Sequence, residues 1–334
     1  MKTKFVYVVA SSESDIYLEQ VIVSAWSLRY YNPEAHIILV CDQDTRPLLD
    51  KGWQKEYATL FNEIKICHYE ASQNLMERSR QMKTTLRSII SGDFLFLDSD
   101  TLVCADLSFV DDYSCDLGFV FDNNCTFDKF IIRDWVVFMM QQIFNMDVTQ
   151  EKEYFNSGVF FAKDTELAHT FFAKWHENWC YEKDHSNSMK DQQPLMKTNV
   201  DMGHVITEIS GIMNCQVVAS IRYLPEAAIV HIYNNFIGKD SRVTPFHSLE
   251  AYRQIKENGF SDEWKDRAVH FKGSFSSPSF VLGESNALLW RRLNSDNSLN
   301  LLETYTGRAI KKIYNTRPRL FRLIEKFFVL IHKL

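Results

Sequence analysis

No glycine lies between Val9 and Asp15, although the 334-residue chain contains 11. That absence argues against a sugar-nucleotide-forming nucleotidyltransferase, whose early loop wraps phosphates with glycine-rich backbone. The seven cysteines, at 41, 67, 104, 115, 125, 180 and 215, form no CxxC pair. Neither a zinc ribbon nor a disulfide framework is suggested, and reduced cytosolic thiols are the simplest expectation. No run reaches the ~18 apolar residues that a membrane-spanning helix needs. The apolar start, Phe5–Ala10, is broken by Ser11-Ser12-Glu13 and does not read as a secretory signal. Internal repeats and low-complexity linkers are also missing. A net charge of -6 argues against a general nucleic-acid binder.

What is present is ordinary globular material, 46% hydrophobic and 24% charged, enough for a sizeable core. The charge is unevenly placed. From Arg308 onward eight Lys/Arg face one acid, Glu325, so this stretch carries +7 and leaves -13 on the rest. Arg319–Leu334 puts Leu320, Leu323, Phe327, Ile331 and Leu334 on one helical stripe, with Arg322, Lys326 and Lys333 elsewhere. A basic amphipathic helix of this kind suits an anionic membrane face; a helix docked on the body or on a partner is the alternative. The expected partition is a catalytic domain over 1–300 and a basic helical tail over 301–334. The expected location is cytoplasmic, peripheral at the inner face of a bacterial inner membrane.

Periodicity predicts strands at Phe5–Ala10, His36–Cys41, Glu63–His68 and Asp93–Leu97. Helices are predicted between them over Leu18–Tyr30, Arg46–Leu60 and Ser79–Ile90. Such alternation implies an α/β fold whose mostly parallel central sheet is covered on both faces. Further on, strands are expected at Leu117–Phe121, Ser157–Ala162, Gln216–Ser220, Ala228–Ile232 and Ala268–Phe271. Helices are expected over Ile131–Phe144 and Leu167–Trp179, with another beginning at Gln192–Asn199.

The strongest local signal is Phe94-Leu-Phe-Leu-Asp-Ser-Asp-Thr-Leu-Val103, an apolar strand running into two carboxylates one residue apart. Ligands in open α/β sheets bind beyond the carboxyl ends of strands. Hard divalent cations take carboxylate oxygens together with substrate phosphate oxygens. Asp98 and Asp100 are therefore candidate metal ligands, and a bland turn is the competing reading. Arg80 and Lys83, spaced i,i+3, can share one helix face just upstream. Asp191 is well placed as an N-cap before Pro194.

Together with Tyr154-Phe-Asn-Ser-Gly-Val-Phe-Phe161, Asp191-Gln-Gln-Pro-Leu195 and His270-Phe-Lys-Gly273, the acidic triplet resembles glycosyltransferase family eight and its relatives. The resemblance runs in order from Phe5 to about Trp290. It implies a GT-A-like nucleotide-diphospho-sugar transferase fold and retaining, metal-dependent sugar transfer from a UDP-sugar, with a guanosine donor as the alternative. Mn2+ is the implied cofactor, with Mg2+ as the alternative. The implied acceptor is a saccharide or glycolipid of a bacterial surface glycan such as lipopolysaccharide.

Carried over by position, Asp98, Asp100 and His270 are the implied metal ligands, with His231 the competitor to His270. Gln192 and Asp191 are the implied catalytic pair. Ala10, Ser12, Glu13, Lys83, Asp98, Ser99, Asn156 and Lys272 are the implied donor-binding residues. The chain departs from the family at its first loop, Val9-Ala-Ser-Ser-Glu13, and in lacking Lys-Pro-Trp near Ser276, where Lys272 is a candidate replacement cation. A non-catalytic carbohydrate or nucleotide binder is the reading from another class.

Overall fold

The computed structural model describes residues 1–186, 188–217, 219–220, 222–232, 246, 249–276 and 320. The chain divides into two compact units, Met1–Ser277 and Pro278–Leu334. Leu320 apart, the tail expected over 301–334 and its boundary near 300 lie outside the described residues. Among the described residues no helix is long and apolar enough to cross a membrane.

The first unit opens with β1 (Lys4–Val9), α1 (Tyr17–Tyr31), β2 (Ile37–Asp42), α2 (Gln54–Tyr57) and β3 (Glu63–Cys67). Then come α3 (Leu75–Thr84), α4 (Leu86–Ile89), β4 (Phe94–Leu97), β5 (Thr101–Val103) and β6 (Leu117–Phe121). The middle holds α5 (Arg133–Phe144), β7 (Phe155–Ala162), α6 (Glu166–Ser186) and α7 (Gln192–Asp201). Last are β8 (Thr207–Glu208), β9 (Cys215–Gln216), β10 (Ile229–His231), α8 (Leu249–Asn258) and α9 (Asp262–Val269).

The larger sheet runs β3-β2-β1-β4-β7-β6-β8. β1 pairs parallel with β2 and β4, aligning Phe5 with both Ile37 and Leu95. β7 is antiparallel to both of its neighbours. The inner strands β1, β2 and β4 are mainly apolar, as strands covered on both faces are, and β7 is buried throughout even at Asn156 and Ser157. β4 is buried throughout, and its Phe96 stacks on Phe160 of β7 at 4.7 Å. Phe160 in turn stacks on Phe119 of β6 at 4.8 Å, and Trp175 of α6 closes the cluster. Each such buried ring contributes about 1.5–3 kcal/mol over its exposed state. The smaller sheet runs β5-β10-β9, with β10 antiparallel to β5. Asp98-Ser99-Asp100 is therefore the link between the two sheets.

Three expected elements differ. Arg46–Leu60 is a 3-10 turn at Arg46–Asp50, then α2, then a second 3-10 turn, because the chain reverses at Gly52 with φ +51°. Of the described residues in Gln216–Ser220, only Gln216 belongs to a strand. Ala268–Phe271 is no strand: it ends α9, which Ser261 starts by accepting a hydrogen bond from the Trp264 amide, and a 3-10 run follows.

Candidate active site

β4 delivers Asp98 and β5 takes over at Thr101, so the intervening Asp100 faces β10. Antiparallel pairing sets His231 opposite Thr101, and the Ile232 amide donates to the Asp100 carbonyl at 2.8 Å. His231 Nε2 thereby reaches Asp100 Oδ1 at 3.0 Å. Among the described residues, Asp98, Asp100 and His231 form a group whose ligand atoms lie within 4.8 Å of one another. Two carboxylates and an imidazole, open on one side, suit a divalent cation that keeps positions for phosphate oxygens. Gly158 permits the approach. A Cβ there would lie 2.1 Å from the His231 ring.

The histidine that meets the carboxylates is thus His231 and not the favoured His270. His270 stands at the C-terminal end of α9 with its side chain 63% exposed, 3.5 Å from Asp266. The expected strand that would have carried it inward is helical, and the imidazole stays at the surface. Lys272 is also elsewhere. Its ammonium donates to the carbonyls of Ala227 at 3.1 Å and Pro225 at 3.5 Å, at the opposite end of β10 from His231.

A directional chain of hydrogen bonds fixes the imidazole. Asp122, just beyond β6, accepts from Asn156 Nδ2 at 3.0 Å. Asn156 Oδ1 accepts from Asn214 Nδ2 at 2.8 Å, and Asn214 Oδ1 lies 3.0 Å from His231 Nδ1. Because the two amides are oriented in series, Nδ1 donates to Asn214 Oδ1, and Nε2 is the nitrogen that faces the cluster. Gln192 is also close enough to Asp122 to lower its pKa. Burial raises the pKa of Asp122, against the hydrogen bonds that lower it.

The second focus is Lys83, fully buried and lying 4.9 Å over the Phe96 ring. Its ammonium is 3.0 Å from Asp191, 3.3 Å from Asp98 and 3.2 Å from the Ser157 hydroxyl. Ser157 in turn donates to Asp191 at 3.0 Å. Asp191 precedes α7 at the capping position, yet its side chain makes no cap hydrogen bond and turns to the cations instead. Trp175 Nε1 holds its carbonyl at 2.9 Å. Burial alone would raise the pKa of Asp191, but Arg80, Lys83 and the Ser157 hydroxyl hold it well below the usual carboxylate range. For His231, burial disfavours the imidazolium, and the charge and hydrogen bond of Asp100 outweigh it to raise the pKa. Asp98 is raised, by burial first and by Asp100 among its neighbours.

The first-loop residues lie at a cavity of about 790 Å3 lined by Ser11, Ser12, Glu13, Tyr17, Asp44, Gln73, Asn74 and Arg78, among others. Ser12 donates to Asp15 at 2.8 Å, and Glu13 pairs with Lys51 at 2.7 Å on the rim. Ala10 is buried at the end of β1. The Ser99 hydroxyl donates weakly to Gln20, at 3.4 Å. The structure therefore brings together Asp98, Asp100, Lys83, Asn156, Asp191 and Gln192, and adds Asp122 and Asn214. Asp122 had a signal like that of Asp98, a carboxylate closing an apolar strand; Asn214 had none.

No family model matches the chain, and no curated protein does. Solved structures are similar in fold. One is WbbM, titled a bifunctional glycosyltransferase, with 14% identity and TM-score 0.50 over 79% of this chain and 51% of WbbM. Another is mouse xyloside xylosyltransferase 1, with 10% identity and TM-score 0.49 over 71% of this chain and 99% of that one. A third is the galactosyltransferase LgtC, solved with donor and acceptor sugar analogs. It has 17% identity and TM-score 0.46 over 79% of this chain and 100% of LgtC. This chain spans about half the length of WbbM, whose likeness carries the statement of fold. The architecture is a GT-A-like α/β fold with a mostly parallel central sheet flanked by helices.

Proposed function

We propose that the protein is a metal-dependent glycosyltransferase that moves a sugar from a nucleoside-diphosphate sugar to a saccharide or glycolipid acceptor with retention of configuration. The observation that carries this reading is the convergence of the Asp98–Asp100–His231 group with Lys83, Asp191, Asn156 and Gln192 beyond the end of β4. Asp98, Asp100 and His231 would hold Mn2+ or Mg2+, which when bound supplies neutralisation of charge on the leaving diphosphate.

The chain's own residues do the remaining work. Asn156, fixed between Asp122 and Asn214, orients the donor sugar through its amide. Gln192, beside Asp122, supplies an amide dipole that can stabilise positive charge at the anomeric carbon. An amide is a poor covalent nucleophile, so the acceptor hydroxyl attacks from the face the leaving group departs and its proton passes to the leaving phosphate. Asp191 stays ionised, because Lys83 and Arg80 face it, and accepts hydrogen bonds from sugar hydroxyls. A bacterial surface glycan as the product rests on the family resemblance, and contact with the inner membrane face rests on the basic amphipathic pattern of the tail.

Turnover of UDP- and GDP-sugars with Mn2+ and with chelator tests this reading. Asp100→Asn should lower metal-dependent turnover on the order of 100-fold or more while leaving the fold intact. Equal turnover in chelator, or an unchanged Asp100→Asn enzyme, would sink the metal assignment.

A further inference from the structure

Ser11, Ser12 and Glu13 line the cavity, yet the loop that carries them between β1 and α1 has no helix or strand of its own. Part of its order is internal. Asp15 accepts from the Ser12 amide and hydroxyl, both at 2.8 Å, and from the Tyr17 amide at 3.1 Å. The rest comes from α8, some 240 residues later in the chain. Lys256 Nζ donates to the Asp15 carbonyl and, at 3.4 Å, to the Ser12 carbonyl, so it holds both ends of the turn. Its third neighbour is Glu19 of α1, at 3.6 Å. That carboxylate is 1% exposed, and its Oε2 has no hydrogen bond among the described residues. α8 is itself anchored: Trp53 Nε1 donates to the Lys256 carbonyl, and the Tyr57 hydroxyl to the Phe260 carbonyl, both at 3.1 Å. One ammonium thus joins a cavity-lining turn and a buried acid to a helix fixed from behind. Among the described residues Lys256 does not line the cavity, so it acts through the turn.

We propose that Lys256 is a positioning residue that pins the Ser12–Asp15 turn, so that the cavity is formed before a nucleotide arrives; the inference rests on the donor-binding reading above. Hydrogen bonds from a charged donor are the strong kind, and an ordered turn spares the ligand the cost of ordering it. When only a fraction of molecules holds the competent arrangement, apparent affinity falls by that fraction.

The test compares wild type, Lys256→Met, Lys256→Arg and the double variant Glu19→Gln/Lys256→Met. Each is titrated calorimetrically with UDP, UMP, GDP and GMP in Mn2+, and its turnover of UDP- and GDP-sugars is measured up to saturating donor. Lys256→Met should weaken the nucleotide that wild type binds by roughly tenfold, mono- and diphosphate alike, and raise donor KM to match with kcat unchanged. Lys256→Arg should recover most of the affinity, because it keeps the charge and the donors. The double variant removes the buried acid together with its cation, and should show the same tenfold loss without stranding a charge. Wild-type affinity in either Met variant, or a matching fall in kcat, overturns the inference while the donor reading stands. If wild type binds no nucleotide, both fall. Ligand-free melting checks the fold. Should Lys256→Met not fold, the double variant decides; if that also fails to fold, the ammonium holds the body and not the turn, and the inference is overturned.

Discussion

Asp191 and Glu182 stand nine residues apart on either side of the bend between α6 and α7, and both carboxylates are buried, yet they have opposite surroundings. Asp191 meets Lys83, Arg80 and the Ser157 hydroxyl, and its pKa is depressed. Glu182 is fully buried, and neither carboxylate oxygen has a well-formed hydrogen bond among the described residues. Burial pushes its pKa up to about 7, and the nearby Ser188 hydroxyl offsets this only in part. Burying a carboxylate disfavours its charged form by several kcal/mol unless cations and donors are supplied. At Asp191 the fold supplies enough of them to keep the charge, and at Glu182 the Ser188 hydroxyl and the Lys190 charge fall short of offsetting burial. The difference marks which of the two acids the protein keeps ionised.

The largest effect that could break this comparison is Asp191→Asn. It strips a partner from a buried ammonium, so chemical denaturation at pH 7 should register a loss of about 3–5 kcal/mol. A loss below about 1 kcal/mol would mean that Lys83 is adequately held by Asp98 and Ser157 alone.

Glu182→Gln should act the other way. A carboxylate whose folded pKa is raised gives stability that is full below the unfolded value, near 4.5, and is lost as pH rises through about 7. The glutamine variant should therefore exceed wild type at pH 8 by roughly 2–3 kcal/mol and show no such gain at pH 4. Melting both proteins across pH 4–8 decides it, and parallel curves would refute an unpaired acid.

Ser157→Ala sharpens the comparison least. Removing one donor to Asp191 should cost about 0.5–1.5 kcal/mol. Because Asp191 has a depressed pKa, that difference should be present above the folded value and shrink only as pH falls through it.

The chain's first hundred residues were largely legible, because β1, β2 and β4 are buried on both faces and read as unbroken apolar runs. The break at Gly52 was not, since periodicity around Pro47 and Leu49 mimics a helix up to the reversal. α8 was passed over, although Ala251, Tyr252 and Ile255 line its buried face. In the site, Asp98 and Asp100 were visible as the stop of a strand. His231 could not be separated from His270 by spacing, because its place depends on a pairing between β5 and β10 across some 130 residues. Local pattern carries no information about such a partner. Asp191 does start α7 as its sequence neighbours suggest, but its side chain makes no cap hydrogen bond, because its neighbours in space are cations from α3.

The triplet Asp98-Ser99-Asp100 has a mechanical side. Its first carboxylate is attached to the larger sheet through β4 and its second to the smaller sheet through β5, with His231 on β10 beside it. Anything that grasps all three groups at once stitches one sheet to the other, as a suture closes a seam. Occupancy of the seam would then be a matter of stiffness as well as chemistry, and amide protons along β5 and β10 would exchange more slowly when it is closed.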